Sequence, residues 1–194
     1  LAGSSGAPAA AQDLYVGSSN TLIQRGNPAT GDFQVVGASG GQVSSMVADG
    51  QNLFIGDVSG RIYHYDGMSG ALSYLFDAAN DAAALVMDGD ELLVGGTDGT
   101  VWRHDKSSGA ALGVLQSLLP VPAMLRLGRT LYVGSPFGVI QSATLPNGEF
   151  SFFGSCGGPV GAMIQHDEEI ILATPGSIYR IGLDDGAIHD TFGL

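Results

Sequence analysis

ADGQNLFIGDVSGRIYHYDGMSG (residues 48–70) returns as MDGDELLVGGTDGTVWRHDKSSG (residues 87–109), a step of 39 residues. Both read as an Asp-Gly turn, an apolar run closing on glycine, a second glycine turn, an aromatic strand and then Asp-x-x-x-Gly. The apolar run recurs along the whole chain as LYVG, LFIG, LLVG, LYVG and IILA, led by Leu14, Leu53, Leu92, Leu131 and Ile170. One fixed period between about 20 and 50 residues is the signature of a repeat architecture.

The period holds at other positions. Val43, Ala82, Val121 and Val160 form one set; Met46, Leu85, Met124 and Met163 form another. Gly31, Gly70, Gly109 and Gly148 keep step, and Gly186 comes one residue early. Gly60, Gly99 and Gly138 are followed by Gly176, again one early, so the fifth unit has lost a residue between Ala173 and Gly176. The predicted units are 1–39, 40–78, 79–117, 118–156 and 157–194, within a single domain, 1–194.

Each unit divides into four short strands, a to d. In the second they fall at Val43–Asp49, Asn52–Asp57, Arg61–Asp66 and Ala71–Asp77, separated by Gly, Asp and Asn turn residues. Strand b is a continuous apolar run, as suits a strand covered on both faces. Four strands in about 40 residues make one propeller blade. The expected fold is all-β: a single five-bladed β-propeller of four-stranded antiparallel blades. Inner strands converge on the axis, and the small residues Ser45, Ala84, Ala123 and Ala162 suit a crowded centre.

Unit one departs from the pattern. Gly6, Ala7 and Pro8 stand where other units carry a regular inner strand, and proline demotes such a segment to an edge. Two readings follow for residues 1–12: a worn strand that closes its own ring, or a segment that docks on a neighbouring subunit.

The net charge is −12 with one lysine, Lys106, which argues against nucleic acid and anionic membrane surfaces. The chain has no apolar run of the ~18 residues a membrane span needs. Cys156 is the lone cysteine, so no internal disulfide forms; its counterparts Ser39, Ala78 and Ser117 mark it as a small residue at a blade seam. The chain opens on Leu1, the expectation being a processed product or a fragment. LAGS (residues 1–4) lacks the cysteine of a lipid-anchoring motif, whereas PAAAQ (residues 8–12) has the small residues of a signal-peptide cleavage region. Export is therefore the expectation, to the cell surface, the extracellular space or the periplasm.

The two quoted stretches resemble the propeller repeats of the quinoprotein-like, WD40-like and related superfamilies. The resemblance covers all five units, most weakly the first, and it implies a blade. There are too few blades for a quinoprotein and no tryptophan closing strand d, so no quinone cofactor is implied. Five-bladed propellers include tachylectin-type lectins and several glycoside hydrolases; no catalytic or lectin motif of either matches here.

Glycosidase chemistry needs two facing carboxylates. The inner segments 43–48, 82–87, 121–126 and 160–165 contain no Asp or Glu, and Glu91 and Glu169 fall just before strand b. No catalytic residue is assigned. His64, His104, His166 and His189 share no metal-ligand spacing, and DGDE (residues 88–91) lacks the full Ca²⁺-loop pattern, so a turn is expected and no metal or cofactor is assigned. The binding candidates lie where b–c turns and d–a connections share one face: Asn20, Gln42, Asp57, Asn80, Asp81, Asp98 and Phe137. They differ from unit to unit, unlike the sites of a lectin with equal repeats. The expected function is a secreted, non-enzymatic scaffold, structural or adhesive, that self-associates, through residues 1–12 among other surfaces, or binds a partner protein. The alternative is a glycan- or small-ligand-binding, lectin-like propeller, and the third reading is a hydrolase or lyase on this scaffold.

Overall fold

The computed structural model describes residues 14–79 and 81–193. Blade one comprises β1 (Leu14–Gly17), β2 (Leu22–Asn27) and β3 (Asp32–Ala38); blade two, β4 (Val43–Asp49), β5 (Asn52–Asp57), β6 (Arg61–Asp66) and β7 (Ala71–Asp77). Blade three holds β8 (Ala84–Asp88), β9 (Glu91–Gly95), β10 (Thr100–Asp105) and β11 (Ala111–Gln116). Blade four holds β12 (Ala123–Leu127), β13 (Thr130–Gly134), β14 (Val139–Thr144) and β15 (Ser151–Ser155), and blade five β16 (Ala162–His166), β17 (Glu169–Thr174), β18 (Ser177–Gly182) and β19 (Ile188–Gly193).

Each sheet is an antiparallel meander, and together they make a five-bladed β-propeller. Among the described residues, blades two to five are four-stranded and blade one has three strands; the segment expected from the sequence as its inner strand lies outside the described residues. The four strands of blade two begin and end at the residues expected from the sequence. No described helix is long and apolar enough to cross a membrane.

Alternation along strand b explains the packing. Leu53 and Ile55 join Ile23 of blade one in one apolar cluster, whereas Phe54 between them joins Leu85, Leu92 and Val94 of blade three in another. Successive side chains point to opposite faces of a strand, so one apolar run supplies two seams. The same arrangement builds the seam between blades three and four from Leu93, Val101, Met124 and Val133, and that between four and five from Ile140, Met163, Ile170 and Leu172. Leu92, Leu93, Val94, Leu131 and Leu172 are fully buried, each contributing about 2 kcal/mol.

Every c–d pairing carries a register shift: just past the apolar c-strand residue at Ile23/Gln24, Ile62/Tyr63 and Ile140/Gln141, and two residues later at Arg103/His104 and Arg180/Ile181. An extra residue on one strand bends and twists it, which suits the outer edge of a blade. The missing residue of unit five is visible as well. Gly60, Gly99 and Gly138 turn between strands b and c with φ of 82°, 85° and 76°. In blade five, Thr174 pairs with Ser177 directly across Pro175-Gly176.

As expected, Ser45, Ala84, Ala123 and Ala162 line the axis, where the described residues of blades two to five surround a cavity of about 230 Å³. Ala84 and Ala123 are buried but Ala162 is exposed. Leu85, Met124 and Met163 are buried, each against the preceding blade; Met46, which faces blade one, is half-buried.

His104 lies in the seam between blades two and three. Its Nδ1 bonds the Gly109 carbonyl at 3.0 Å, its ring stacks on Phe76 at 4.4 Å, and Nε2 has no partner among the described residues. Burial pushes its pKa below the ordinary histidine value, against the smaller upward pull of the Gly109 bond. A depressed folded pKa means that protonation favours the unfolded chain, so this stability is present above the unfolded value and is lost as pH falls through the folded one. Thermal melts between about pH 8 and pH 5 should show Tm falling with pH, and His104→Phe should flatten that slope. An unchanged slope in the variant would assign the pH response to other groups.

Candidate functional site

The face made of b–c turns and d–a connections is braced by a repeated backbone clamp. The carbonyls of Thr21, Gly60, Gly99 and Gly138 accept bonds from the N–H groups of Ser39, Ala78, Ser117 and Cys156 at 2.7–2.9 Å. Those of Ser18, Asp57, Gly96 and Ser135 accept from Val43, Ala82, Val121 and Val160, at the entry to the next blade. Each b–c turn thus holds the connection leading into the following blade.

The candidate residues sit on this frame. Asp57 is fully buried rather than surface-exposed. Its Oδ1 accepts from the N–H groups of Ser59 at 2.8 Å and Arg61 at 3.1 Å. It caps a turn, as Ser135 does for Phe137 and Val139, and Thr174 for Ser177. Oδ2 has no partner among the described residues. Asp81 and Asp98 both brace the β9–β10 turn: Asp81 Oδ1 accepts from the Thr97 N–H and hydroxyl, each at 2.9 Å, and Asp98 Oδ1 accepts from the Thr100 N–H at 2.9 Å. Asn20 Oδ1 accepts from the Ser18 hydroxyl and the Leu22 N–H, inside its own turn. Gln42 is exposed, and its carbonyl accepts from the Val58 N–H at 2.9 Å. Phe137 projects with 69% of its surface exposed. Asn80 and residues 1–12 lie outside the described residues.

Leu118 and Val58, which the sequence reading did not single out, project beside this set at 87% and 49% exposure. Val58 was legible as a large aliphatic residue in a turn otherwise written in Asp, Ser and Gly.

The opposite face carries a polar hollow of about 310 Å³ lined by Asp88, Glu91, Arg103, Arg126, Arg129, Leu145 and Pro146. Two of its three arginines are ion-paired, and Arg129 donates to the Leu145 carbonyl at 3.1 Å. Arg103 pairs with both oxygens of Glu91 at 2.7 Å and reaches the Pro146 carbonyl and Asn147 Oδ1 in blade four at 3.2 Å. Arg126 pairs with Asp88 at 2.5 Å, across the same seam. Lys106 spans the preceding seam to Asp49 at 2.9 Å. The sequence signal was the column that begins strand b, Asn52, Glu91, Thr130 and Glu169, set against His64, Arg103, Ser142 and Arg180 on strand c.

Glu169 is held at 2.6 Å by Arg180 and at 2.9 Å by His189 Nδ1. The bond from His189 and then that from Arg180 lower its pKa, and Glu169 and Asp185 raise that of His189. Asp184, Asp185 and His189, all exposed, bring three ligand atoms within 4.8 Å of one another. Asp88, Glu91 and Glu169 are thus paired with cations, and the axial cavity is lined by Ser, Ala, Gly, Pro, Leu and Met.

No protein-family model matches the chain, and no curated protein matches its sequence. Among solved structures it is similar to the computationally designed Ika8 protein, a propeller, with a TM-score of 0.70 and 17% identity over 91% of this chain. The match spans 57% of that longer chain. At this identity the likeness is one of fold.

Proposed function

We propose that this chain is a secreted, non-enzymatic propeller scaffold that associates with itself or with a partner protein. The observation that carries the reading is the division of labour on the clamped face. Its polar side chains, Asp57, Asp81, Asp98 and Asn20, serve its own turns, while Val58, Leu118 and Phe137 project. Recognition of a small polar ligand needs convergent free polar groups. Exposed aromatic and aliphatic anchors on a rigid frame are what protein partners bury. The ion-paired Glu91 and Glu169 support the non-enzymatic part; secretion rests on the small-residue run at 8–12.

Sedimentation at micromolar concentrations tests the self-associating part, with association expected. A strictly monomeric parent would overturn it. Phe137→Ala and Asp98→Ala discriminate the lectin alternative. The scaffold reading expects no glycan-array signal from the parent. A robust signal that both variants abolish would replace the scaffold with a glycan-binding propeller. Phe137→Ala should change stability by less than about 1 kcal/mol, whereas Asp98→Ala, which removes the bonds to Thr100, should cost about 1 kcal/mol.

A further inference from the structure

The outer faces of blades one and five differ from the faces that meet at the four seams between consecutive blades. At the seams between consecutive blades, the strand-b residues facing the preceding blade are almost fully buried: Leu53 and Ile55 at 3% and 0%, Leu92 and Val94 at 0%, Leu131 and Val133 at 0% and 2%, Ile170 and Leu172 at 1% and 0%. Their counterparts in blade one are Leu14 and Val16, at 48% and 36%. Blade five mirrors this on its far side. Val47, Val86 and Leu125 pack against the following blade, while the equivalent Ile164 is 60% exposed. On strand c, Ile23, Ile62, Val101 and Ile140 are at most 1% exposed, while Ile178 is half-buried. On strand d, Leu115 is 4% exposed and Phe192, which pairs with Ile178 as Leu115 pairs with Val101, is 47% exposed.

We propose that these two faces are a head-to-tail interface: the blade-five face of one copy of this chain packs on the blade-one face of another. This rests on the self-associating reading above and names its surface. The argument for a second copy is complementarity. Four times over, the chain packs a face of the blade-five kind against a face of the blade-one kind, using the same positions and the same apolar residues. The exposed pair therefore fits by a rule the molecule already uses. A single added strand cannot cover it, because the exposed residues run from strand b of blade one and strand a of blade five out to strands c and d. Residues 1–12 carry one large aliphatic side chain, Leu1. Such an interface is heterologous, with different patches meeting.

That property gives the test. Val16→Asp disables the blade-one face and Ile164→Asp the blade-five face. By sedimentation velocity the parent should associate and each variant alone should be monomeric. An equimolar mixture should form a dimer, since each variant keeps the face the other lacks. Leu14→Asp must reproduce Val16→Asp, and circular-dichroism melts establish that all three fold. Variants that associate like the parent would overturn the seam while leaving self-assembly standing. A mixture that stays monomeric would overturn the head-to-tail geometry. A parent that is monomeric throughout refutes the self-associating reading itself. A parent that associates only after residues 1–12 are deleted would show the seam filled by its own chain, which also overturns the proposal.

Discussion

Met124→Asp is expected to lower the unfolding free energy by about 4 kcal/mol and Tm by roughly 8–16 °C for a domain of this size. Met124 is 9% exposed and lies in the apolar cluster between blades three and four with Ala84, Leu93 and Val133. A carboxylate there loses its hydration, and the cluster offers it no cation. Met124→Leu keeps volume and polarity, and should cost less than about 1.5 kcal/mol. Met46→Asp supplies the internal comparison. Met46 occupies the same strand position but is half-buried, facing blade one, so its loss should be smaller. Equal losses at 46 and 124 would mean that the seam at blade one is as dry as the others. An unchanged Tm for Met124→Asp would show that the repeat has been aligned in the wrong register.

Much of this was legible in the sequence because the determinants are local and repeated. Strand bounds, turn glycines and the two-sided burial of strand b follow from an apolar run bracketed by Asp and Gly, read five times. The one-residue loss in unit five was readable from Gly176 and Gly186 arriving early. What was not legible depends on how blades face one another. Asp57 looked like a loop-face carboxylate; it is a buried turn cap because the connection to blade three folds over it, and the Ala82 N–H bonds its carbonyl at 3.4 Å. Ser45 reads as axial filling, yet its hydroxyl and that of Ser44 both donate at 2.7 Å to the Ala82 carbonyl. The Arg103–Glu91 pair needed the register of β9 and β10 as well as the residue types. The bare faces of blades one and five could not be read at all. Leu14, Val16 and Ile164 match their repeats, and only the arrangement of blades tells them apart.

Gly138→Val should be strongly destabilising, at about 3 kcal/mol or more. Two costs coincide. The residue sits at φ of 76°, where a β-branched side chain is strained. A Cβ there would meet the Cys156 carbonyl oxygen at 2.4 Å and that of Gly158 at 3.0 Å. Both are backbone atoms of the connection into blade five, and neither can rotate away. The Gly138 carbonyl itself holds the Cys156 N–H at 2.8 Å, so relief by moving the turn breaks the clamp. Gly128 separates the two costs. It turns at φ of 58°, but a Cβ there meets nothing within 4 Å, so Gly128→Val should show the conformational cost alone, about 1–2 kcal/mol. Gly176 has open space and belongs to the shortened turn of blade five. Gly176→Ala should be neutral or raise Tm slightly through the unfolded chain's lost freedom. Chemical denaturation of the three variants should rank Gly138→Val well below Gly128→Val, and Gly176→Ala highest. If Gly138→Val and Gly128→Val lose the same amount, the contact with the blade-five connection contributes nothing, and the clamp is not what fixes one blade to the next.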